Sequence, residues 1–431
     1  MKRLKFPLLT LVLSLFIYTL TELRHGLFSR PFQARNFLLI LLVSGCCVWL
    51  HLKRSQDVPR YAVRLLGGVS SPGRIIYLDC IRVLAAVLVI AVHVLESTYS
   101  LLPAHSPAWE ILAVLASLSL CCNLLFMMLS GALILNGKEE PVWVFYQKRL
   151  ARVLIPCFCY YLFYLFYAYG FSVFYPPNWG NLIRGFISNG SGLTPHFWLV
   201  YVILMFYLTA PFFRIMMKHL SDRMLASLIL VIFILHAAFT YLPFLNISFA
   251  ASTFLASWES IFLLGYFCTR DLADRYYKLI NACGILSVLG MIAAVHFMDD
   301  FGAVLYNNAP PMMFLSCSVF LFFKRHAKTL FRKVPAVFSC IGHYSYSILL
   351  IHWLVLYEFV YKTLGLSGLD FGIAGGVLLC ILTTLALSLA FAVFYDNTIV
   401  LCLDAVFQKL TGRFMTGAAD KGNGSGKAPR I

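Results

Sequence analysis

The chain has 431 residues, 61% of them hydrophobic and 12% charged, with a mean hydropathy of +0.83. That balance excludes an ordinary soluble domain, and apolar runs of about 20 residues, long enough to cross a bilayer, recur along nearly its whole length. The formal net charge of +16 raises nucleic-acid binding, so the location of the charges decides what they mean.

The N-terminus sets Lys2, Arg3 and Lys5 ahead of an apolar run from Leu8 to Leu20, and a second run follows from Phe37 to Leu52. Thr21-Glu22-Leu23-Arg24 offers no small-x-small cleavage site. Both runs are therefore read as retained helices of a two-helix preface over 1–60, with a cleaved signal peptide as the alternative. Ten further spans follow at 75–95, 110–135, 151–170, 197–213, 224–243, 253–269, 279–298, 309–323, 337–361 and 371–395, forming a core over 61–396. The expected fold is all-α, a polytopic transmembrane helical bundle with a ten-helix core plus two N-terminal transmembrane helices. Within the loop at 171–196, Tyr175-Pro176-Pro177-Asn178-Trp179 reads as a small aromatic cap. The tail over 397–431 is Gly-rich and polar from about 411 and is expected to be disordered. Its Gly-Lys pair lacks the P-loop spacing.

The loops alternate in charge. Those at 53–74, 136–152, 214–223, 270–278 and 324–333, with the tail after 396, hold 25 of the 34 Lys and Arg; the opposite loops of the core hold Arg184 and Lys362. This is the positive-inside bias, and it sets both termini in the cytoplasm. Arg24, Arg30 and Arg35 are the weak exception. The expected location is the bacterial inner (cytoplasmic) membrane, with membrane lipid and no nucleic acid as the surroundings. The 13 cysteines lie within or beside apolar spans without a CxxC pair. They read as small buried hydrophobes, neither a disulfide framework nor a metal site.

Ionisable groups at membrane depth are costly and usually face a cavity or a partner. The densest set is on the first core helix: Asp79, Arg82, His93 and Glu96. Arg82 and His93 are eleven positions apart, which is about 20° off alignment and about 16 Å along one helix face. Asp79 and Glu96, each three residues from its neighbour, extend the same stripe. The plain alternative is a structural Asp79/Arg82 ion pair and an interfacial His93. Toward the outer side lie His196, Trp198 and Tyr201, then His352 and Glu358. Toward the inner side lie Ser130-Gly131, Lys148, Arg149 and Arg152. Each has a structural reading too: Ser-Gly as a helix-packing contact, Trp198 as an interfacial anchor, Arg149 and Arg152 as topology determinants. Glu259 is expected to bond a neighbouring helix.

Six short motifs in order resemble the acyltransferase-3 family of multi-pass membrane enzymes. They are Leu78-Asp79-Cys80-Ile81-Arg82-Val83-Leu84-Ala85 with Arg82 and His93 in Arg-x10-His spacing, Phe126-Met127-Met128-Leu129-Ser130-Gly131, and Arg149-Leu150-Ala151-Arg152-Val153-Leu154-Ile155-Pro156. His196-Phe197-Trp198-Leu199, Phe262-Leu263-Leu264-Gly265-Tyr266, and the run from Ile341-Gly342-His343 to Ile351-His352 complete the series. The similarity runs from about Arg74 to Tyr395. It implies transfer of an acyl group, acetyl above all, from cytoplasmic acyl-CoA (acetyl-CoA) to a lipid-linked or polymeric carbohydrate acceptor, and it implies that Arg82 and His93 are essential. The two-helix preface and the lack of a C-terminal hydrolase-like domain depart from some members. A hand-off to separate envelope-synthesis proteins is therefore an open route.

These readings agree on a two-sided site. The donor's phosphates suit a vestibule of Lys148, Arg149 and Arg152, with Arg82 deeper and Ser130 along the pantetheine path. At the other end, neutral His93 would take the proton of a hydroxyl acceptor, with Glu96 or His352 orienting its ring and His196 as a further candidate. His93 as a transient acyl carrier is the other mechanism. The competing class is a proton-coupled secondary transporter or flippase, in which Asp79/Arg82 and His93/Glu96 would relay protons.

Overall fold

The computed structural model describes residues 75–407 except 138–139, 171–178, 189–191, 248, 250–252, 306–307 and 332–335, and also residues 7, 10–12, 14–15, 17–19, 34–54 and 409. No strand occurs among the described residues. A helix of the preface, α1 (Ala34–Arg54), precedes the core helices α2 (Ile76–Tyr99), α3 (Pro107–Ser119), α4 (Cys121–Leu135), α5 (Val142–Tyr169) and α6 (Trp179–Ile187). Then come α7 (Trp198–His219), α8 (Asp222–Tyr241), α9 (Ser260–Thr269), α10 (Tyr277–Phe297), α11 (Pro310–Leu330), α12 (Ala336–Leu354) and α13 (Ile373–Tyr395). Among the described residues, 8 helices are long and apolar enough to cross a membrane. The chain is an all-α polytopic helical bundle.

Local chemistry explains where the helices start. Ser106 caps α3 by accepting a hydrogen bond from the Trp109 amide, with Pro107 in the first turn, and Ser221 does the same for α8 through the Met224 amide. Leu120 keeps helical backbone angles between α3 and α4, so the two run as one span from Pro107 to Leu135. The helix α2 sits at the centre, packed by α3, α4, α11, α12 and α13. It is apolar nearly all round, as a helix buried inside a bundle must be.

Several boundaries differ from the sequence expectation. The third core helix begins at Val142, so Lys148, Arg149 and Arg152 lie well inside α5. Arg214 falls inside α7 and is buried, so it is not a loop cation. Lys324, Arg325 and Lys328 extend α11. The last core helix does not stop at 395: it passes through a wide π turn, Asp396–Val400, and continues to Phe407. The largest difference is the span expected at 253–269. It breaks at Ser257–Glu259 and leaves only α9, ten residues long. Glu259 meets the hydroxyl of Ser257 in that turn and does not bond a neighbouring helix. Of the expected cap, 171–178 lies outside the described residues, while Trp179 opens α6. The tail from 410 and most of the loop at 53–74 also lie outside them.

The helices α4 and α9 cross with backbone against backbone. A Cβ on Gly131 would sit 1.9 Å from the carbonyl oxygen of Phe262, and one on Gly265 would sit 2.0 Å from that of Met128. The packing reading of Ser130-Gly131 therefore holds for its glycine. In lipid, helices gain nothing from hydrophobic exclusion, so close backbone approach through small residues supplies the packing. Gly131→Ala should cost about 1–3 kcal/mol or more through overpacking. It should lower the yield and thermal midpoint of the purified protein. Gly290→Ala on α10, with nothing within 4 Å of the added methyl, should leave both unchanged.

Candidate active site

The stripe on α2 forms as the sequence suggests. Near one end of the bundle, where the Lys- and Arg-rich segments gather, Arg82 Nη1 lies 2.7 Å from Asp79 Oδ1, with Asp79 buried. Toward the far end, His93 Nδ1 lies 3.6 Å from Glu96 Oε2, and both side chains keep partial exposure. The two pairs stand about 16 Å apart along the axis.

Three histidines meet at the far end, although the sequence spreads them over three helical segments. The ring of His93 stacks on His352 at 5.4 Å between centroids, and His196 meets His352 edge-on at 5.1 Å. Trp353 closes the group, 4.9 Å from His93 and parallel to His196 at 5.9 Å. The turn Pro195–Phe197 delivers His196, and α12 delivers His352 just before its backbone widens into the π turn Val355–Thr363. Register shifts of that kind recur at functional sites. Here Leu350 O accepts from His196 Nε2 at 3.0 Å, and the Leu354 amide donates to the Tyr164 hydroxyl at 3.2 Å.

Hydrogen bonds fix which nitrogens of the two inner histidines carry protons. His352 Nδ1 lies 2.8 Å from Leu349 O and 3.3 Å from Ile348 O. Carbonyls only accept, so Nδ1 holds the proton. By the same argument His196 holds its proton on Nε2. The other nitrogens, His352 Nε2 and His196 Nδ1, are buried without a protein partner. His93 differs, because its ring borders a cavity of about 370 Å³ lined by Glu96, Asn123, His196, Trp198, Trp258 and Trp353 among others. Of the two expected orienting partners, Glu96 approaches the ring edge and His352 supports its face. Glu358 bonds Tyr167 and Lys362 and is not among the residues lining this cavity.

The basic end is divided. Tyr207, buried on α7, stands beside Ser130 and within electrostatic reach of Arg149, Arg82 and Arg152. Arg149 also reaches over the Phe145 ring at 5.8 Å, and its Nε is buried without a protein partner. Arg214 covers the same ring at 5.1 Å and donates to Ile134 O at 2.9 Å. Lys148 is drawn aside: it is exposed and pairs with Glu140 at 2.7 Å. That hydrogen bond, first of all, holds the Glu140 carboxyl below its usual range. Lys148 and Arg152 border a second cavity of about 510 Å³ that also carries Asp396 and Asp404. The expected vestibule of three cations is thus two places: Arg82, Ser130 and Arg149 near Tyr207, and Lys148 beside carboxylates. Arg152 adjoins both.

Several residues at these sites escaped the sequence reading. Asn123, Trp258, Trp353, Tyr164 and Tyr207 carry no charge, so a search for buried ions passes over them. Asp396 is half-buried in the extended last helix, accepting from Tyr160 at 3.0 Å and from Ser347 at 2.5 Å. The expected last span ends at 395, so Asp396 falls outside it although the helix continues to Phe407. Trp198, read as an interfacial anchor, faces the cavity. No group of three or more metal-ligating side chains occurs among the described residues.

The model of the acyltransferase domain of the acyltransferase-3 family matches residues 75–394, more than half of the chain. The chain belongs to the acyltransferase-3 family. No curated protein and no solved structure matches it. Membership makes it a membrane acyltransferase and sets aside the transporter alternative. The matched region spans the helices that carry Arg82, His93, His196 and His352, and it stops just short of Asp396.

Arg82 joins a buried carboxylate to the cationic group around Tyr207. Arg82→Lys keeps the charge but loses the planar fork, and Arg82→Ala removes the guanidinium that pairs with Asp79 at 2.7 Å. Both variants should insert normally and lose most acyl transfer, measured as CoA release by purified protein. Near-normal turnover in Arg82→Ala would remove Arg82 from the site.

Proposed function

We propose that this acyltransferase moves an acyl group, acetyl in the first instance, from cytoplasmic acyl-CoA to a hydroxyl of an envelope or exported carbohydrate. Its home would be the inner membrane, with both termini in the cytoplasm. The observation that carries the reading is the polarity of α2, which joins an arginine-rich end to a cavity holding His93 within one helix length. An anionic donor and a neutral hydroxyl acceptor need these two environments.

The donor's phosphates would meet Arg149, Arg152 and Arg82, since guanidinium groups hold phosphate oxygens in a two-pronged geometry. Lys148 would add long-range attraction, reduced by its pairing with Glu140. Ser130 and Tyr207 line the way inward for the pantetheine arm. The thioester would reach the far cavity, where the acceptor hydroxyl attacks its carbonyl carbon. His93 takes the hydroxyl proton as the C–O bond forms. The C–S bond then breaks, and the proton returns to the departing CoA thiolate. His352 and His196 have spent their N–H groups on backbone carbonyls, so they support and enclose the reacting ring. Glu96 lies where it would stabilise His93 while it carries the proton. Asp79 holds Arg82 in place. If the acyl group passes through His93 instead, the same residues serve in two steps. Envelope-synthesis proteins would be the partners that present the acceptor or take the product.

His93→Ala should lower acyl transfer by about 10²- to 10⁴-fold, the usual contribution of a positioned base. Acyl-CoA affinity, governed by cations at the other end, should change less than about twofold, a few tenths of a kcal/mol. The measurement is CoA release by the full chain in nanodiscs beside acetyl-CoA binding by calorimetry. Loss of both together, or of neither, would refute His93 as the base.

A further inference from the structure

The break that shortens α9 lies at membrane depth. Ten helical residues rise about 15 Å, half of the roughly 30 Å hydrocarbon core. Asn136 Nδ2, just past the end of α4, bonds Thr269 Oγ1 at 2.9 Å, so α9 fills only the half of the bundle near the basic end. Just ahead of it, residues 253–259 are not α-helical and hold the tight turn Phe254–Ala256. Phe254 stacks at 4.7 Å on Phe213, which lies fifteen residues beyond Trp198 in α7, or about 22 Å along the axis. Non-helical backbone at such depth is tolerated where it is buried in protein or lines a cavity. This segment does the latter, through Trp258.

The turn is built to hold that tryptophan. The Ser257 hydroxyl lies between Phe254 O, at 2.7 Å, and the Glu259 carboxylate. The Ser260 hydroxyl lies 2.8 Å from Ser257 O and 2.8 Å from His236 Nε2, inside the bundle. Trp258 then meets Trp198 at 4.9 Å with their planes inclined by 51°. The two indoles make a corner in the wall of the cavity that holds His93. Asn123 stands in the same wall, and among the described residues its side chain makes one hydrogen bond, a weak one at 3.7 Å from the Cys122 thiol.

We propose that Asn123, Trp198 and Trp258 form the acceptor subsite, and that it selects one saturated, polyhydroxylated six-membered ring. The proposal rests on the acyl-transfer reading for the role of His93. An angled pair of indoles offers apolar faces to the C–H groups of such a ring, while the Asn123 amide and Glu96 carboxylate suit its hydroxyls. A cavity of about 370 Å³ is at the small end for ligand sites, so it takes a terminal or branch sugar and not a stretch of polymer. Ser257, Ser260 and His236 are positioning residues that act through Trp258.

The test uses the full chain in nanodiscs, titrated with methyl gluco-, galacto-, manno- and rhamnopyranosides and with sorbitol as an acyclic control. Tryptophan fluorescence reads binding, and thiol release from acetyl-CoA reads transfer. At least one pyranoside should bind saturably, with sorbitol tenfold weaker or worse. Trp258→Phe should raise that half-saturation tenfold or more, and Asn123→Asp should change the rank order of the sugars. Ser260→Ala should raise the acceptor KM while the acetyl-CoA KM stays within twofold, a split that general loss of structure does not give. Equal binding of sorbitol, unchanged affinity in Trp258→Phe with normal thermal stability, or binding by no pyranoside would overturn the subsite. Saturable pyranoside binding without thiol release would uphold the subsite and count against acyl-CoA as donor.

Discussion

Much of the arrangement depends on two glycines in a place where no other residue fits. At the crossing of α4 and α9, the backbone of each helix occupies the space where the other's Cβ would be. Phe206 lies flat against Phe262 at 3.8 Å and fixes α7 to the same crossing. Held this firmly, α9 need not span the membrane. The volume it leaves toward the far end is bordered by α2, by the start of α4 and by the turn before α9, and it holds the cavity beside His93. A full-length helix at 253–269 would have filled that space. The close packing and the open site are thus two consequences of one contact.

The histidine group shows how buried polar rings can be packed together. Each inner ring gives its N–H to a carbonyl near the place where α12 widens into a π turn. Neutral rings can then stack, whereas neighbouring imidazolium charges would repel. His93 is the member with an exposed edge and a nearby carboxylate. In the proposed reaction, proton exchange with a bound molecule would fall to His93, against which the other two rings are packed.

Much of this was legible in the sequence where the signal was periodic or ionic. Hydropathy located helices in all ten core spans, and the eleven-residue spacing of Arg82 and His93 put them on one face because an α-helix admits no other result. Hydropathy could not see the break before α9. Trp258, Ser260 and their neighbours are apolar enough, or small enough, to average into a continuous span. What breaks the helix is a set of short serine bonds and a buried partner, His236, two dozen residues away in the chain. The meeting of His196 with His352 was equally hidden, since it depends on packing across α5, α7 and α12. The pairing of Lys148 was hidden for a simpler reason: its partner Glu140 lies eight residues earlier, across the start of α5, at a spacing that helical periodicity does not pair.

The division of cations at the basic end follows from what each must also do. Arg214 donates to Ile134 O in the last turn of α4, where exposed carbonyls and the helix dipole favour a positive charge. It covers one side of Phe145 while Arg149 covers the same ring. Part of the charge of Arg214 is therefore committed to ending α4 and fixing α5 against α7. Lys148 is committed to Glu140, and Arg82 to Asp79. Arg149 keeps a buried Nε without a protein partner and stands within electrostatic reach of Tyr207. In the proposed reaction an anionic donor entering from the basic end would meet that unused N–H.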